Sequence, residues 1–295
     1  MHINPLSAER SIGAILVDTG KLTLDEAERI LRAQKEYGLR FGEAAIRLAL
    51  VSRADMELAL ASQYDYPYLL RTENGEVSGE LIAAYEPFSS QVEALRALRS
   101  QLMLRWFTGE EERRTLAVAS PGRGDGRSYL AANLAVVFSQ LGEHTLLIDA
   151  DMRNPRQHEL FKLDNHRGLS SLLSGRGEHS VIERIPSFVD LSVLSAGPIP
   201  PNPQELLGRP VFARLLDEMV HEYDVVIIDT PAAADYADVQ TIAVRASGAL
   251  LVARSSRTRV SEFRELSKTL SQSGVAMVGS VLNDPLPGKT LRQQS

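Results

Sequence analysis

The sequence predicts an α/β protein in which a mostly parallel β-sheet, covered by helices on both faces, follows a small helical domain. From residue 115 onward, short apolar runs rich in β-forming residues alternate with longer helical patterns, as expected for βαβ units. Before residue 71, one pattern of apolar positions occurs twice, which is typical of a repeated structural unit. The length of 295 residues and the apolar fraction of 44% suit two globular domains.

The N-terminal repeat consists of segments 11–34 and 40–63, which overlay with the same spacing of key positions. Each segment reads as two short helices, and together they are expected to form one helical domain over residues 1–70. The matched positions include Ile12 with Phe41, Gly13 with Gly42, Leu31 with Leu60, and Gln34 with Gln63.

Capping signals mark the start of the second helix in each repeat. Thr23 is followed three residues later by Glu26, and Ser52 is followed by Asp55. This spacing lets the side chain of the N-cap residue and the acid exchange hydrogen bonds with each other's backbone N–H groups.

A boundary is predicted after the repeat. Residues 71–80 combine Thr, Asn, Ser and two Gly with charges and show no periodicity, so we assign 71–84 to a linker. The second domain then covers 85–295 and opens with a helix over Val92–Trp106. Its apolar residues recur at helical spacing, namely Leu95, Leu98, Leu102 and Met103.

The parallel sheet is predicted from six β-rich runs separated by helical segments. Ligands of such sheets bind beyond the carboxyl ends of the strands, so residues that follow a strand are the first candidates for a site. The runs are Leu116–Ala119, Thr145–Asp149, Leu191–Ala196, Val225–Asp229, Ala249–Ala253 and Val275–Leu282.

A glycine-rich loop, Ser120–Ser128, follows the first strand and precedes a helical pattern over Tyr129–Leu141. Glycines allow the backbone N–H groups to point inward, and the helix N-terminus adds positive potential, so an anion is the expected ligand. The loop departs from the usual phosphate-loop pattern because Pro121 replaces a glycine and Arg127 replaces the lysine. Arginine keeps the charge but is not sterically equivalent to an ammonium group. A glycine-rich turn without a ligand is the alternative.

Acidic residues follow two further strands. Asp149 and Asp151 end one apolar run, and Asp229 ends another. A carboxylate at the end of a buried strand is costly unless a cation or hydrogen-bond donors compensate it, and Mg²⁺ held partly by carboxylates is a natural compensation. Each acid alone could instead be a helix cap or turn former, and for Asp151 that alternative is nearly as strong.

Composition excludes several classes of function. The net charge of −6 argues against a nucleic-acid partner. The absence of cysteine excludes disulfides, thiolate catalysis and cysteine-bound zinc. We see neither a secretory signal nor an apolar run near the ~18 residues of a membrane span. We therefore expect a cytoplasmic protein whose membrane role, if it has one, comes through a partner.

With these motifs in order, the second domain resembles the bacterial tyrosine kinases, a branch of the P-loop NTPases related to the MinD and ParA group. The loop 120–128, the block 146–153 and the run 227–231 correspond to the Walker A, Walker A′ and Walker B motifs. The resemblance covers about residues 85–285, and the arginine in Walker A is similar to that of the EpsG-type chain-length-determinant subgroup. Gly122 occupies the place of the ParA signature lysine, which disfavours a partitioning ATPase.

The resemblance implies a Mg-ATP-dependent protein-tyrosine autokinase that regulates exopolysaccharide chain length or export. It assigns magnesium to Ser128, Asp149 and Asp229, the β- and γ-phosphates to Arg127, and activation of the acceptor tyrosine to Asp149. The implied catalytic residues are Arg127, Asp149, Asp151 and Asp229. The implied nucleotide-binding residues are Gly122, Arg123, Gly124, Asp125, Gly126, Arg127, Ser128, Tyr129 and, where the family contacts adenine, Asn283.

Partners follow from the same resemblance. Glu93, Arg96 and Arg99 match the family's oligomerisation motif and share one side of the predicted helix, which implies a homo-oligomer. Without the resemblance, a solvated charged face is the simpler interpretation. The family also implies recruitment to the inner face of the plasma membrane by a polysaccharide co-polymerase or activator protein.

The acceptor tyrosine is the main departure from the family, which usually ends in a tyrosine-rich tail. Here no tyrosine follows Tyr236. The densest cluster is Tyr64, Tyr66 and Tyr68, which is either a substitute acceptor or a packed β segment.

Two other functions stay open at the level of the sequence. The missing tail and Arg127 leave room for a pseudokinase, a catalytically weak assembly switch controlled by nucleotide. A MinD-like positioning ATPase is a minor alternative, because residues 285–295 do not supply the membrane-binding helix it would need.

The repeated N-terminal units resemble the N-terminal domain of type II secretion and pilus assembly ATPases, some of which bind cyclic di-GMP. Ser11 replaces the arginine expected in the first unit, with Arg10 beside it, while Arg40 is in place in the second. Ala49 replaces a glycine. Cyclic di-GMP is a possible ligand, and a packing or docking module is the favoured interpretation.

Overall fold

The computed structural model describes residues 11–63, 68–69, 75–108 and 113–284. The chain divides after Tyr68 into two compact units. The boundary predicted near residue 70 lies outside the described residues.

The smaller unit contains the two predicted repeats. Its helices are α1 (Ile12–Asp18), α2 (Leu24–Tyr37), α3 (Phe41–Arg47) and α4 (Arg53–Gln63). Helix α1 packs against α4, and α2 packs against α3, so each helix of one repeat contacts a helix of the other. Both repeats therefore contribute to a single core, built around Leu16, Ile30 and Ala45.

Both predicted caps are present. The Thr23 hydroxyl accepts a hydrogen bond from the Glu26 N–H at 3.3 Å, and the Glu26 carboxylate accepts one from the Thr23 N–H at 2.8 Å. Ser52 and Asp55 exchange the corresponding bonds at 3.1 and 3.3 Å. Satisfying the free N–H groups of the first turn fixes where α2 and α4 begin.

The larger unit is built on a seven-stranded sheet. Its strands are β1 (Thr115–Ala119), β2 (Thr145–Asp149), β3 (Glu183–Arg184), β4 (Leu191–Leu194), β5 (Val225–Asp229), β6 (Gly248–Arg254) and β7 (Ala276–Asn283). The spatial order is β3-β4-β2-β5-β1-β6-β7, and every pair is parallel except β3 with β4. The mostly parallel sheet is confirmed; the short edge strand β3 has too few residues to show an alternating pattern.

Helices cover both faces of the sheet, as predicted. They are α5 (Ile82–Tyr85), α6 (Ser90–Arg105), α7 (Arg127–Ser139), α8 (Gln157–Phe161), α9 (Leu169–Leu173), α10 (Pro203–Gly208), α11 (Pro210–Glu222), α12 (Asp238–Ala246) and α13 (Val260–Gln272). Alternate residues of the strands enter two separate cores: Val225 and Ile227 pack with α6 and α7, whereas Val226 and Ile228 pack with α11 and α12.

The predicted linker differs from the structure in its second half. Val77, Leu81, Ala83 and Ala84 are buried in the core of the larger unit. The Ala83 N–H donates to the Asn133 side chain at 3.0 Å. Residues 75–84 are therefore part of this unit, because a stretch without periodicity can still bury isolated apolar side chains against a finished sheet.

The element bounds otherwise stay close to the predictions. The helix predicted over Val92–Trp106 covers Ser90–Arg105 and is capped by Ser89. Two of the predicted strands, Thr145–Asp149 and Val225–Asp229, have the observed bounds. Within the described ranges, no helix has both the length and the apolar character needed to cross a bilayer.

Candidate active site

The candidate site lies at the carboxyl ends of β1, β2 and β5, which are neighbours in the order β2-β5-β1. Asp149 and Asp229 stand opposite one another in the register of β2 and β5. Since neighbouring strands are about 4.8 Å apart, the two acids that are 80 positions apart in sequence become adjacent. The loop after β1 faces the same edge of the sheet.

The glycine-rich loop runs from the end of β1 to the start of α7. Gly126 has a φ of 100°, and a Cβ at this position would lie 2.0 Å from Nδ2 of Asn283, so both the conformation and the space require glycine. The buried carboxylate of Asp125 accepts hydrogen bonds from the Gly122 N–H at 2.7 Å and the Thr258 hydroxyl at 2.8 Å. Asp125 thus braces the loop from within.

Arg127 is the first residue of α7 and is only 7% exposed. Its guanidinium donates to the Thr230 carbonyl at 2.8 Å and to the Gly122 carbonyl at 2.7 Å. A third bond goes to the Ser120 hydroxyl. In this structure the side chain thus bonds to protein oxygens beneath the loop, and the predicted contact with β- and γ-phosphates stays a prediction.

The acidic pair is fully buried. One oxygen of Asp149 accepts hydrogen bonds from the N–H groups of Arg156 at 3.0 Å and Gln157 at 2.9 Å. One oxygen of Asp229 accepts a bond from the Gln157 side chain at 2.8 Å. The other oxygen, Oδ1 of Asp229, is buried without a hydrogen-bond partner.

Burial raises the pKa of both acids, since it penalises the charged form. For Asp149, the neighbouring Asp229 raises the pKa further, while N–H groups of Gln157 and Arg156 oppose the shift. For Asp229, burial raises the pKa to about 6 against the opposing influence of Arg127, Gln157 and Ser128. When both carboxylates of the site are ionised, a cation is therefore needed to compensate their charge.

The residues fit a bound divalent cation. The unpartnered Oδ1 of Asp229 is a free ligand atom, and the Ser128 side chain lies near enough to Asp229 to oppose the rise of its pKa. No group of three or more His, Cys, Asp or Glu in the described part of the chain could hold a metal by itself. Two carboxylates completed by a hydroxyl, water and substrate phosphate match the preference of Mg²⁺ rather than of a dedicated protein cage.

Asp151 differs from the other two acids. It is buried, and its Oδ1 accepts the N–H of Arg153 at 3.2 Å and of Asn154 at 2.9 Å. This is the pattern of an Asx turn, the alternative that the sequence left open. Its charge still acts on Asp149 and Asp229, but its Oδ1 is engaged by backbone N–H groups.

The remaining predicted nucleotide residues surround the loop. Arg123 pairs with Asp235 at 2.7 Å, and the Asn283 side chain donates to the Asp125 carbonyl at 3.0 Å. Tyr129 is half-buried, and its pKa is raised to about 12 by burial and by the carboxylates of Glu86 and Glu80. Asn283 therefore closes on the loop itself, and its predicted contact with adenine stays a prediction.

Sequence reasoning missed three side chains at this edge. Gln157 bridges the acidic pair from α8. Arg254, at the end of β6, donates to the Gly124 carbonyl at 2.9 Å, and the Arg257 guanidinium lies where a Cβ on Gly124 would be. Arg254 directly follows the predicted strand Ala249–Ala253, so the rule that residues after a strand are candidates would also have found it.

The predicted oligomerisation residues make contacts within the chain. Arg96 pairs with Glu93 at 3.2 Å on α6, and Arg99 donates to the Val137 carbonyl at 2.6 Å. Arg99 is thus engaged with α7 of its own chain. Only Glu93, whose side chain is 73% exposed, points mainly to solvent.

Of the predicted acceptor cluster, Tyr64 and Tyr66 lie outside the described residues. The Tyr68 hydroxyl donates to the Leu58 carbonyl at 2.9 Å in the smaller unit. Burial raises the pKa of Tyr68. This hydroxyl is engaged in packing.

Comparison with known proteins decides the family. The chain is 36% identical over 198 residues to the putative tyrosine-protein kinase CapB of Staphylococcus aureus, covering 67% of this chain and 86% of CapB. It is 34% identical over 227 residues to the tyrosine-protein kinase YwqD of Bacillus subtilis, covering 77% of this chain and 93% of YwqD. This chain belongs to the bacterial tyrosine-protein kinase family. No protein-family model matches it.

The structure of this kinase agrees with that membership. The solved kinase domain of the Escherichia coli tyrosine kinase ETK superposes with a TM-score of 0.67 at 32% identity, covering 77% of this chain and 87% of that domain. The predicted family and α/β P-loop fold are confirmed, and the kinase is favoured over the pseudokinase switch. The resemblance of the smaller unit to secretion and pilus ATPases stays a prediction.

Proposed function

We propose that this kinase transfers the γ-phosphoryl group of ATP, with Mg²⁺, to tyrosine residues of its own chain, and that it thereby regulates exopolysaccharide chain length or export. One observation carries the proposal: the glycine-rich loop and the buried pair Asp149 and Asp229 meet at one edge of the sheet. Backbone N–H groups suit the phosphates, and the acids suit the metal opposite them.

The proposed metal ligands are Ser128, Asp149 and Asp229. A bound Mg²⁺ would neutralise charge on the transferring phosphoryl group and orient it. Asp229 brings its unpartnered oxygen, and Ser128 brings a hydroxyl group near Asp229. Gln157 holds both acids in place, because its backbone N–H donates to Asp149 and its side chain donates to Asp229.

The proposed acceptor base is Asp149. Its raised pKa makes the carboxylate a stronger base than an exposed aspartate. Two N–H groups orient the carboxylate, which leaves the acid in one fixed position at the strand end. Asp149 would accept the phenolic proton as the tyrosine oxygen attacks.

Arg127 is proposed to stabilise the β- and γ-phosphates. Its guanidinium lies directly beneath the loop, bonded to the Gly122 carbonyl. We infer that the arginine keeps the site cationic and the loop curled, so that its removal impairs both nucleotide binding and transfer.

Phosphotyrosine formation on purified chains tests this function. Wild type with Mg-ATP is expected to accumulate phosphotyrosine, Asp149→Asn to bind nucleotide but form little, and Arg127→Ala to bind weakly. Asp217→Asn, an exposed acid on α11, is the matched control and should behave as wild type. If wild type binds Mg-ATP in calorimetry yet forms no phosphotyrosine, the autokinase proposal is contradicted. The nucleotide-controlled assembly switch then becomes the better explanation.

Membrane recruitment and oligomerisation are further parts of the proposal. The family implies a cytoplasmic enzyme brought to the inner membrane face by a polysaccharide co-polymerase. Glu93 and Arg96 on α6 are the residues to test for self-association, because they form an ion pair whose Glu93 side chain is exposed. Sedimentation should show smaller species for a Glu93→Ala, Arg96→Ala double variant than for wild type with Mg-ATP, and equal sizes would remove these residues from the interface.

Cyclic di-GMP binding by the smaller unit rests on the resemblance alone. Ser11, the departure in the first repeat, serves as the N-cap of α1 and accepts the Ala14 N–H at 3.3 Å. A calorimetric titration without heat at high cyclic di-GMP would dispose of this ligand.

A further inference from the structure

Tyr236, the last tyrosine of the chain, lies in a surface turn next to the glycine-rich loop. It belongs to the turn 233–237, between the end of β5 and the start of α12. The turn is fastened to the glycine-rich loop, because the N–H groups of Ala233 and Ala234 donate to the carbonyls of Ser120 and Pro121 at 3.1 and 2.9 Å. Three of its residues are exposed, whereas Ala233 and Tyr236 are half-buried, so the segment is at the surface.

Two arginines flank Tyr236. The guanidinium of Arg153 lies over the ring, 3.8 Å from its centroid. Arg123 of the loop binds Asp235, the residue before Tyr236, and the pKa of its guanidinium is raised by Asp235 and, to a smaller extent, by Tyr236. Both cations also have carboxylate partners: Asp235 binds Arg123 at 2.7 Å, and Asp238 binds Arg153 at 2.7 and 3.2 Å.

We propose that Tyr236 is a phosphorylation site of this kinase, with Arg123 as the principal partner of the phosphate. A phosphotyrosine carries nearly two negative charges and strong acceptor oxygens, and it is stabilised most where arginines already stand. Arg123 is 55% exposed and its partner Asp235 is 39% exposed, so the phosphate displaces a solvated carboxylate. Arg153 remains on the ring and contributes positive potential.

The other tyrosines in the part of the chain that the structure describes are less suitable phosphate acceptors. The Tyr129 hydroxyl lies near Glu80 and Glu86, which would repel a phosphate. The Tyr85 hydroxyl donates to the Val77 carbonyl, and Tyr223 packs against the core of the larger unit. Tyr37 has one arginine over its ring, at 4.8 Å from the centroid, which is farther than the 3.8 Å at Tyr236.

The transfer rests on the proposed function and uses its reactants alone. The Tyr236 oxygen forms a bond to the γ-phosphorus of ATP while the bond from that phosphorus to the β–γ bridging oxygen breaks. ADP leaves with the electron pair, and the phenolic proton passes to a carboxylate of the acidic pair.

Phosphopeptide mapping of the full chain after incubation with Mg-ATP tests the site. Wild type is expected to carry phosphate on Tyr236. Tyr236→Phe should lose most of the phosphotyrosine while calorimetry shows that it still binds Mg-ATP, and Tyr223→Phe, the matched control, should keep it. Phosphotyrosine confined to other residues overturns this inference alone, whereas none anywhere in a chain that binds Mg-ATP overturns the proposed function as well.

Dephosphorylation tests the role of the arginines. A tyrosine phosphatase should act about tenfold more slowly on phosphorylated Tyr236 in the folded chain than on its released peptide, because charge-assisted hydrogen bonds must break first. Arg123→Gln should recover much of that difference, and Arg245→Gln, on the neighbouring helix, should not. Equal rates for folded chain and peptide would overturn the arginine clamp.

Discussion

The acidic pair shows, at the scale of single residues, how stability is given up for function. Asp149 and Asp229 are fully buried side by side, and burial raises the pKa of both. Hydrogen bonds from Gln157 offset only part of this cost, since one oxygen of Asp229 has no partner. A chain optimised for stability alone would place a neutral residue there.

Asp229→Asn is therefore expected to stabilise the metal-free chain at neutral pH. The pKa of Asp229 is raised to about 6 in the folded chain, whereas an aspartate in the unfolded chain has a pKa near 3.9. Its carboxyl group therefore stabilises the fold fully below pH 3.9, and this contribution is lost as pH rises through about 6. The variant should exceed wild type by on the order of 3 kcal/mol at pH 7.5, with the difference shrinking toward pH 4.

Urea unfolding followed by fluorescence across this pH range measures the difference, with Asp217→Asn as the control that should not change. The same variant should lose the extra stability that Mg-ATP gives to wild type. A variant less stable than wild type at pH 7.5 would show that the ionised pair is already compensated.

Ala49 is a second residue where local conformation opposes the side chain. Its φ is 53°, and the matched residue of the first repeat is Gly20 with a φ of 69°. Left-handed conformation costs a residue with a Cβ roughly 1–2 kcal/mol, and Ala49 is exposed, so its methyl group has little packing to lose.

Ala49→Gly should stabilise the smaller unit by about 1 kcal/mol, which slows amide hydrogen exchange in α3 and α4 about fivefold. The control Ala45→Gly removes a buried methyl from the helix α3 and should accelerate exchange. Faster exchange in Ala49→Gly would mean that the added freedom of the unfolded chain outweighs the relieved strain.

At the scale of elements, Trp106 fixes the end of α6 to the first residues of β1 and β6. The indole N–H donates to the Thr115 carbonyl at 2.9 Å, and the ring lies against Gly248 at the start of β6. A Cβ on Gly248 would lie 2.3 Å from the ring. Helix α6, strand β1 and its neighbour β6 therefore all contact the Trp106 side chain.

Gly248→Ala should destabilise the larger unit by about 1–3 kcal/mol through overpacking. Trp106 is the only tryptophan, so its emission reports the displacement directly. Gly208→Ala, where nothing lies within 4 Å of the added Cβ, is the matched control and should leave both stability and emission unchanged. Unchanged emission in Gly248→Ala would show that the ring accommodates the methyl group without moving.

The glycine-rich loop also depends on elements distant in sequence. Asp125 reaches Thr258 beyond β6, and Asn283 at the end of β7 holds the Asp125 carbonyl. The glycines give the loop its freedom, and these contacts select one conformation. Preorganisation of this kind lowers the cost of ordering the loop when a nucleotide binds.

At the scale of the whole molecule, every residue of the candidate site belongs to the larger unit. Residues 69–295 should therefore bind Mg-ATP with an affinity close to that of the full chain, because the loop, the acidic pair and the bracing contacts from β6 and β7 are all retained. Calorimetric titration of both proteins measures this, with Trp106 emission as the check on folding. A large loss of affinity in a folded truncated chain would give the smaller unit a part in the site.

Much of this arrangement was accessible to reasoning from sequence. Apolar periodicity predicts the strands that end at Asp149 and Asp229, because a buried parallel strand needs a continuous apolar run. The glycine pattern predicts a tight loop after β1. The linker was misjudged at residues 77–84, because four scattered apolar residues reveal nothing until the sheet that buries them exists.

The order of strands, by contrast, is a tertiary property. Nothing local in the sequence predicts that β5 lies between β1 and β2. That placement buries the two acids side by side, and burial raises the pKa of both. The inward turn of Arg127 and the bridging by Gln157 also depend on neighbours far along the chain. The sequence by itself determined the elements, the family and the residue types of the site, since these follow from local periodicity and chemistry. Only the tertiary structure decided which residues touch, since burial, charge coupling and hydrogen-bond partners exist only after the strands are assembled.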